Sequence, residues 1–337
     1  MRKILFFLVV AMVLSGCAYN KSVYVPYNDS VHKDATYEWA PHDDGGEWWY
    51  LTGYASDQNN KLYLYQITIF RGYVIHHIVS LLEAYALNLS FTDCSTGKHV
   101  FSEDISFHSD EAYADSQCAI FKDSMMCLDN QKIKIVGKSD KLKMNLEGTS
   151  TKDVIWHGKD GIIVMGHPEK PKERSYYYSY TNITTKGVIE FKDEKDNWVK
   201  IDGGGKAWFD RQWGRFSELG WEWFSFRFFD DEEIMLFPFP KTGSKEGTYI
   251  DKKGTAIIFD NFTYNVKKFE MFNGKKIGLG WHVTVPFKEK EYEVVPVVED
   301  QYNPSKLQDY WEGICKVFNG KGDLVGYAII ETPGSAY

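Results

Sequence analysis

The sequence lacks most of the signatures that would mark a common enzyme class. There is no G-x-S-x-G elbow, no G-x-x-x-x-G-K-[ST] phosphate loop and no G-x-G-x-x-G following a strand pattern. Nucleophile-elbow hydrolases and the usual nucleotide-dependent enzymes are thereby excluded. No C-x-x-C occurs, and the 9 histidines are scattered without ligand spacing, so neither a zinc centre nor any other cofactor is expected. Lys and Arg form no cluster interleaved with aromatics, and the net charge is −8, which argues against a nucleic-acid partner. Beyond residue 17 no segment is long and apolar enough to cross a bilayer as a helix, and no long amphipathic helical pattern is present.

What the chain has in abundance is aromatic side chains: 11 Trp, 22 Tyr and 22 Phe, 16% of all residues. These favour strands. Short alternating runs such as Glu47–Ala55, Lys61–Arg71 and Arg174–Asn182 are separated by turn clusters such as Asp57–Asn60, Asp193–Asn197 and Asn273–Lys276. Many short strands with regular turns read as an all-β protein of sandwiches or barrels. The length suits two units, and the glycine run Gly203–Gly205 is the best candidate boundary, giving domains 44–202 and 203–337.

The N-terminus carries a targeting pattern. Arg2 and Lys3 precede the apolar stretch Ile4–Leu14, and Leu14-Ser15-Gly16-Cys17 matches a bacterial lipobox in which Cys17 is lipidated. The expected location is the cell envelope, lipid-anchored to the membrane through Cys17, on the periplasmic face of the outer membrane if the host is Gram-negative. Residues 18–43, polar and turn-rich, read as a tether and entry segment. Outside the cytoplasm the remaining cysteines, Cys94, Cys118, Cys127 and Cys315, suggest disulfides in any of three pairings. Cys118 and Cys127 are spaced to close a short hairpin.

The stretch Lys206–Phe229 sets charged groups into an aromatic wall. With a two-residue period, Trp208, Asp210 and Gln212 share one face of a strand, and Phe209, Arg211 and Trp213 the other. A carboxylate beside indole rings has its pKa raised unless a donor such as Arg211 holds it charged, which makes Asp210 a candidate acid or base. An aromatic core with Asp210 and Arg211 as an ion pair is the plainer alternative. Gln66 and Thr68, polar on an otherwise apolar strand face, need partners, and a ligand is one.

Several segments together resemble the AttH-like/hydroxyneurosporene synthase (carotenoid 1,2-hydratase) family: Gly46-Glu47-Trp48-Trp49-Tyr50, Tyr65–Arg71, Ser175-Tyr176-Tyr177-Tyr178-Ser179, Ala207–Gly214 (A-W-x-D-R-E-W-G), Gly220-Trp221-Glu222-Trp223-Phe224 (G-W-D-W-F) and Tyr310-Trp311-Glu312-Gly313. Gly326-Tyr327 and Glu331 follow its closing segment. The order holds from about residue 44 to 334. Gln212 and Glu222 depart from the family's Glu and Asp. The resemblance implies two packed lipocalin-like antiparallel β-barrel domains, and relatives that act on isoprenoid or polyketide substrates. Asp210, Arg211 and Glu222 are then the candidate catalytic residues. Trp49, Gln66, Arg71, Tyr177, Trp208, Trp213, Trp221 and Trp223 are candidate contacts for a hydrophobic small molecule. Whether the chain turns such a molecule over without a cofactor or only carries it stays open at this level. The lipid anchor is testable directly: Cys17→Ser should abolish palmitate labelling and leave an unprocessed precursor, and undiminished labelling would refute it.

Overall fold

A computed structural model describes residues 21–76, 80–167, 169–170, 172–215 and 220–333. The lipobox and Cys17 lie outside the described residues. Within them there is no helix, and the strands form two antiparallel sheets. The first runs in the order 98–106, 80–93, 62–76, 46–56, 205–215, 174–192, 142–150, 132–138, 124–129, 118–121 and 112–114, curling into a nearly closed barrel. The second, a half-barrel, runs 256–259, 244–250, 233–239, 223–228, 324–333, 310–319, 291–296, 275–284 and 263–272. Residues that tolerate left-handed backbone close the turns, among them Asn60 (φ 59°), Asp196 (φ 63°) and Asn273 (φ 48°). Cys118 and Cys127 sit opposite each other in one hairpin and form the disulfide, while Cys94 and Cys315 are free.

The glycine run is not a linker between the domains. The strand Gly205–Arg215 belongs to the first sheet, pairing with Gly46–Ser56 on one side and Arg174–Lys192 on the other. The chain passes to the second sheet only between Arg215 and Trp223. The glycines answer to close packing instead: a Cβ at Gly205 would lie 2.0 Å from the carbonyl oxygen of Tyr54. Residues 21–43 are likewise no free tether. Tyr24 donates to Glu83 at 2.7 Å, Tyr27 packs edge-on against Tyr176, and Trp39 stacks on Phe209 with centroids 5.0 Å apart. Glu38, Trp39, Ala40 and His42 are all buried.

Three apolar clusters follow from this arrangement. One fills the first barrel (Leu51, Ile67, Leu89, Tyr178, Phe209), one fills the second (Phe224, Phe226, Leu279, Trp281), and a third joins them (Tyr50, Tyr177, Trp208, Trp223, Phe237, Ile329). At one end of the first barrel an ion network is buried. Glu47 accepts from Arg71 Nη1 at 2.7 Å, Arg211 Nη2 at 2.5 Å and the His42 backbone N–H at 3.1 Å. Burial pushes the Glu47 carboxyl up, but Arg211, the hydrogen bond with His42 and Arg71 more than offset this and hold it at about 2. With the folded value below the ordinary 4.5, this contribution is complete above about pH 4.5 and is lost as pH falls toward 2. Glu47→Gln leaves the buried Arg211 without a counter-charge, while Arg71 keeps Glu83 at 2.6 Å, and should cost about 3–5 kcal/mol in urea unfolding at neutral pH. A change within error would show that the network is not a stabilising element.

Candidate functional site

The period of two decides which residues meet. Strand Gly46–Ser56 sends Glu47, Trp49 and Leu51 into the first barrel and Trp48, Tyr50 and Thr52 outward, toward the second domain. Register then builds a row across the outer face of the first sheet: Asn88 beside Thr68, Thr68 beside Tyr50, Tyr50 beside Asp210, and Asp210 beside Ser179. The second domain presents its own row, Trp223 beside Glu331 and Glu331 beside Glu312. The rows are joined where Tyr50 Oη donates to Glu312 Oε1 at 2.7 Å. Between them lies a cavity of about 710 Å³, a volume that suits a small organic ligand. Trp48, Phe70, Trp221, Trp223 and Phe237 supply its aromatic walls; Gln66, Thr68, Asn88, Gln212 and Tyr310 supply polar ones. The exposed side chains of Tyr73 and Leu307 line it where it meets solvent.

Asp210 is the acid on the first-domain wall. Its Oδ1 accepts from Ser179 Oγ and from Trp208 Nε1, both at 2.5 Å. His157 Nε2 lies 2.8 Å from Ser179 Oγ and His157 Nδ1 lies 2.9 Å from Thr248 Oγ1. Because the single serine hydrogen goes to Asp210, the imidazole donates through Nε2 and accepts from Thr248 through Nδ1. Ser179 thus stands between Asp210 and His157, whereas a nucleophilic triad places the histidine in the middle. Burial also pushes His157 down to about 3, which removes it as a base at neutral pH. The set is a hydrogen-bonded cradle for one carboxyl group.

That carboxyl is raised to about 7, first by burial, which exceeds the downward pull of the Ser179, Trp208 and Tyr177 hydrogen bonds and of the Arg227 charge. Glu331 is raised to about 7 by burial and the Asp210 charge, against the Trp221 indole, whose Nε1 donates at 3.2 Å. Glu312 reaches about 8 through burial and the charge of Glu331. Arg227, buried between the domains, donates to the Thr52 carbonyl at 3.3 Å. Among the described residues no carboxylate lies within ion-pairing distance of it.

The candidate residues from the sequence divide by strand face. Asp210, Gln66, Trp221 and Trp223 line the cavity. Trp208 and Tyr177 stand behind it, Trp208 donating to Asp210 and the Tyr177 hydroxyl accepting from Trp223 Nε1 at 3.0 Å. Arg211 does not pair with Asp210: it points into the first barrel, stacks over Trp49 at 4.1 Å and pairs with Glu47. Trp49, Trp213 and Arg71 belong to that same interior, Trp213 stacked on His42 with centroids 4.5 Å apart. Glu222 points into the second barrel, accepting from Trp281 Nε1 at 3.2 Å and Thr332 Oγ1 at 3.4 Å. Trp48, Tyr50, Ser179, His157 and Glu312 are site residues that local sequence did not single out. A shared parity with Asp210 could mark Trp48 and Tyr50 only once the pairing of the two strands is known.

Fold and cavity together define a two-domain β protein with an acid-bearing pocket between its barrels. The chain belongs to the AttH-like family, whose model matches residues 32–334. Among solved structures it is similar to an AttH-like protein of Nitrosomonas europaea (TM-score 0.77, 19% identity, covering 93% of this chain and 99% of that one). It is also similar to kievitone hydratase of Nectria haematococca (TM-score 0.65, 16% identity, 94% of each chain). A third likeness is to CghA, solved with Sch210972 (TM-score 0.53, 10% identity, 88% and 91%). At these identities the likenesses establish the two-barrel fold. No curated protein gives a significant sequence match.

Proposed function

We propose that this protein adds water across a carbon–carbon double bond of a hydrophobic, isoprenoid-like molecule held between its barrels, without a cofactor, at a membrane to which the lipid on Cys17 tethers it. One observation carries the reading. Asp210 is a buried carboxyl group with a pKa of about 7, open to an aromatic cavity and not paired with Arg211. A carboxylic acid that keeps its proton near neutral pH can protonate an electron-rich alkene, and the pKa then matches the working pH. Protonation leaves a carbocation, which the π-faces of Trp48, Tyr50, Trp221 and Trp223 can stabilise, and water entering from the mouth captures it. The hydratase among the structural neighbours agrees with this choice. A carrier that binds the same molecule without reaction would have no use for an acid poised in this way.

Farnesol and lycopene, incubated with the protein in heavy-oxygen water, provide the test. Hydrated product carrying the heavy oxygen is expected from at least one of them, and Asp210→Asn should slow its formation by roughly 10²–10⁴-fold, as for a lost general acid. Tight binding of both without any hydration would favour the carrier.

A further inference from the structure

Hydration places one proton on carbon and takes another from water, so an acid alone does not complete it. Resting on the hydration reading, we propose that Glu331 is the second catalytic residue, the base that accepts the proton of the attacking water across the cavity from Asp210. The two carboxyl groups come from different domains and line one cavity. Asp210 is 3% exposed and its Oδ1 is committed to two donors. Glu331 lines the cavity through which water enters and is less buried than Asp210, while the Trp221 indole holds its Oε1 in place. Its neighbour Glu312 is fully buried, takes the Tyr50 hydroxyl and does not line the cavity. Of the cluster's acids, Glu331 therefore has both water access and a fixed orientation.

The charges agree with this division. The charge of an ionised Asp210 raises Glu331, and both groups lie at about 7, so near neutral pH the two carboxyl groups together carry about one proton. An acid and a base are then present together. The atoms balance as follows. The alkene π pair forms a C–H bond with the Asp210 proton, leaving a cation on the adjacent carbon and a carboxylate on Asp210. A water lone pair forms the C–O bond, one of its O–H bonds breaks, and that proton goes to Glu331. Cavity water then carries the proton from Glu331 back to Asp210, and one water has been added.

Two measurements on the full-length protein test this. With glutamate carboxyl carbons labelled for NMR, and Glu331 assigned by the signal lost in Glu331→Gln, its titration midpoint should lie near neutral. That midpoint should fall by about one pH unit or more in Asp210→Asn, where the like charge is gone. A midpoint in the ordinary glutamate range, or one unmoved by Asp210→Asn, would overturn the pairing. In kinetics with whichever of farnesol and lycopene is hydrated, Glu331→Gln should lower kcat about 10²–10⁴-fold with little change in KM. It should also remove the acid-side limb of the pH profile, and Glu331→Asp should recover part of the rate. Full activity in Glu331→Gln, or an intact acid-side limb, would refute the base role while leaving Asp210 and hydration standing. A wild type that hydrates neither olefin would remove hydration and the base role together, and the NMR titration would still decide whether the carboxyl groups share a proton.

Discussion

The strand Gly205–Arg215 is buried on both faces, and the site depends on that. A pleated strand sends successive side chains to opposite sides, so Asp210 and Arg211, adjacent in sequence, end in different environments. Arg211 enters the first barrel, where Glu47 supplies its counter-charge. Asp210 enters the space between the barrels with no cation at ion-pairing distance among the described residues. The same pleat that stabilises one charge leaves the other group to remain a neutral acid.

Two kinds of buried carboxyl therefore coexist within one molecule. Glu47 is held near 2 because Arg211, His42 and Arg71 together outweigh its desolvation, while Asp210, Glu331 and Glu312 are driven to about 7 or 8 because desolvation outweighs their donors. The first kind stabilises the barrel. The second destabilises the ionised protein and is retained where the two domains meet around a cavity, which is where perturbed groups most often mark function. The cavity lies between the barrels because the first barrel is already filled by its own core, from Trp39 through Leu89 to Phe209.

How much of this was legible in the sequence depended on range. Strand content, turn residues and the aromatic run around Asp210 are local properties, and the all-β reading follows from them. The face assignment of Trp208, Asp210 and Gln212 also came from local period. Which distant strand each face meets did not. Arg211, Trp49, Trp213 and Arg71 look like site residues by composition, yet parity and pairing send them into the barrel. Tyr50 and Glu312, separated by 262 positions and hydrogen-bonded, carry no local sign of each other. The glycine run misled for a related reason: glycine marks where backbone bends or approaches closely, as at Gly205, but not which sheet the next strand joins.

The central claim is that Asp210 is a neutral acid at neutral pH rather than one half of an ion pair. The most direct measurement is the melting temperature of wild type and Asp210→Asn between about pH 5 and pH 8. A carboxyl group raised from 3.8 to about 7 in the fold stabilises fully below its unfolded value, and that stabilisation is lost as pH rises through its folded one. The difference grows by about 1.4 kcal/mol for each pH unit between the two values. The wild type should therefore lose stability relative to Asp210→Asn as pH rises, and at pH 8 the variant should melt as high or higher. A variant that melts far below the wild type at pH 8 would show Asp210 to be a charged structural partner, and would contradict the account.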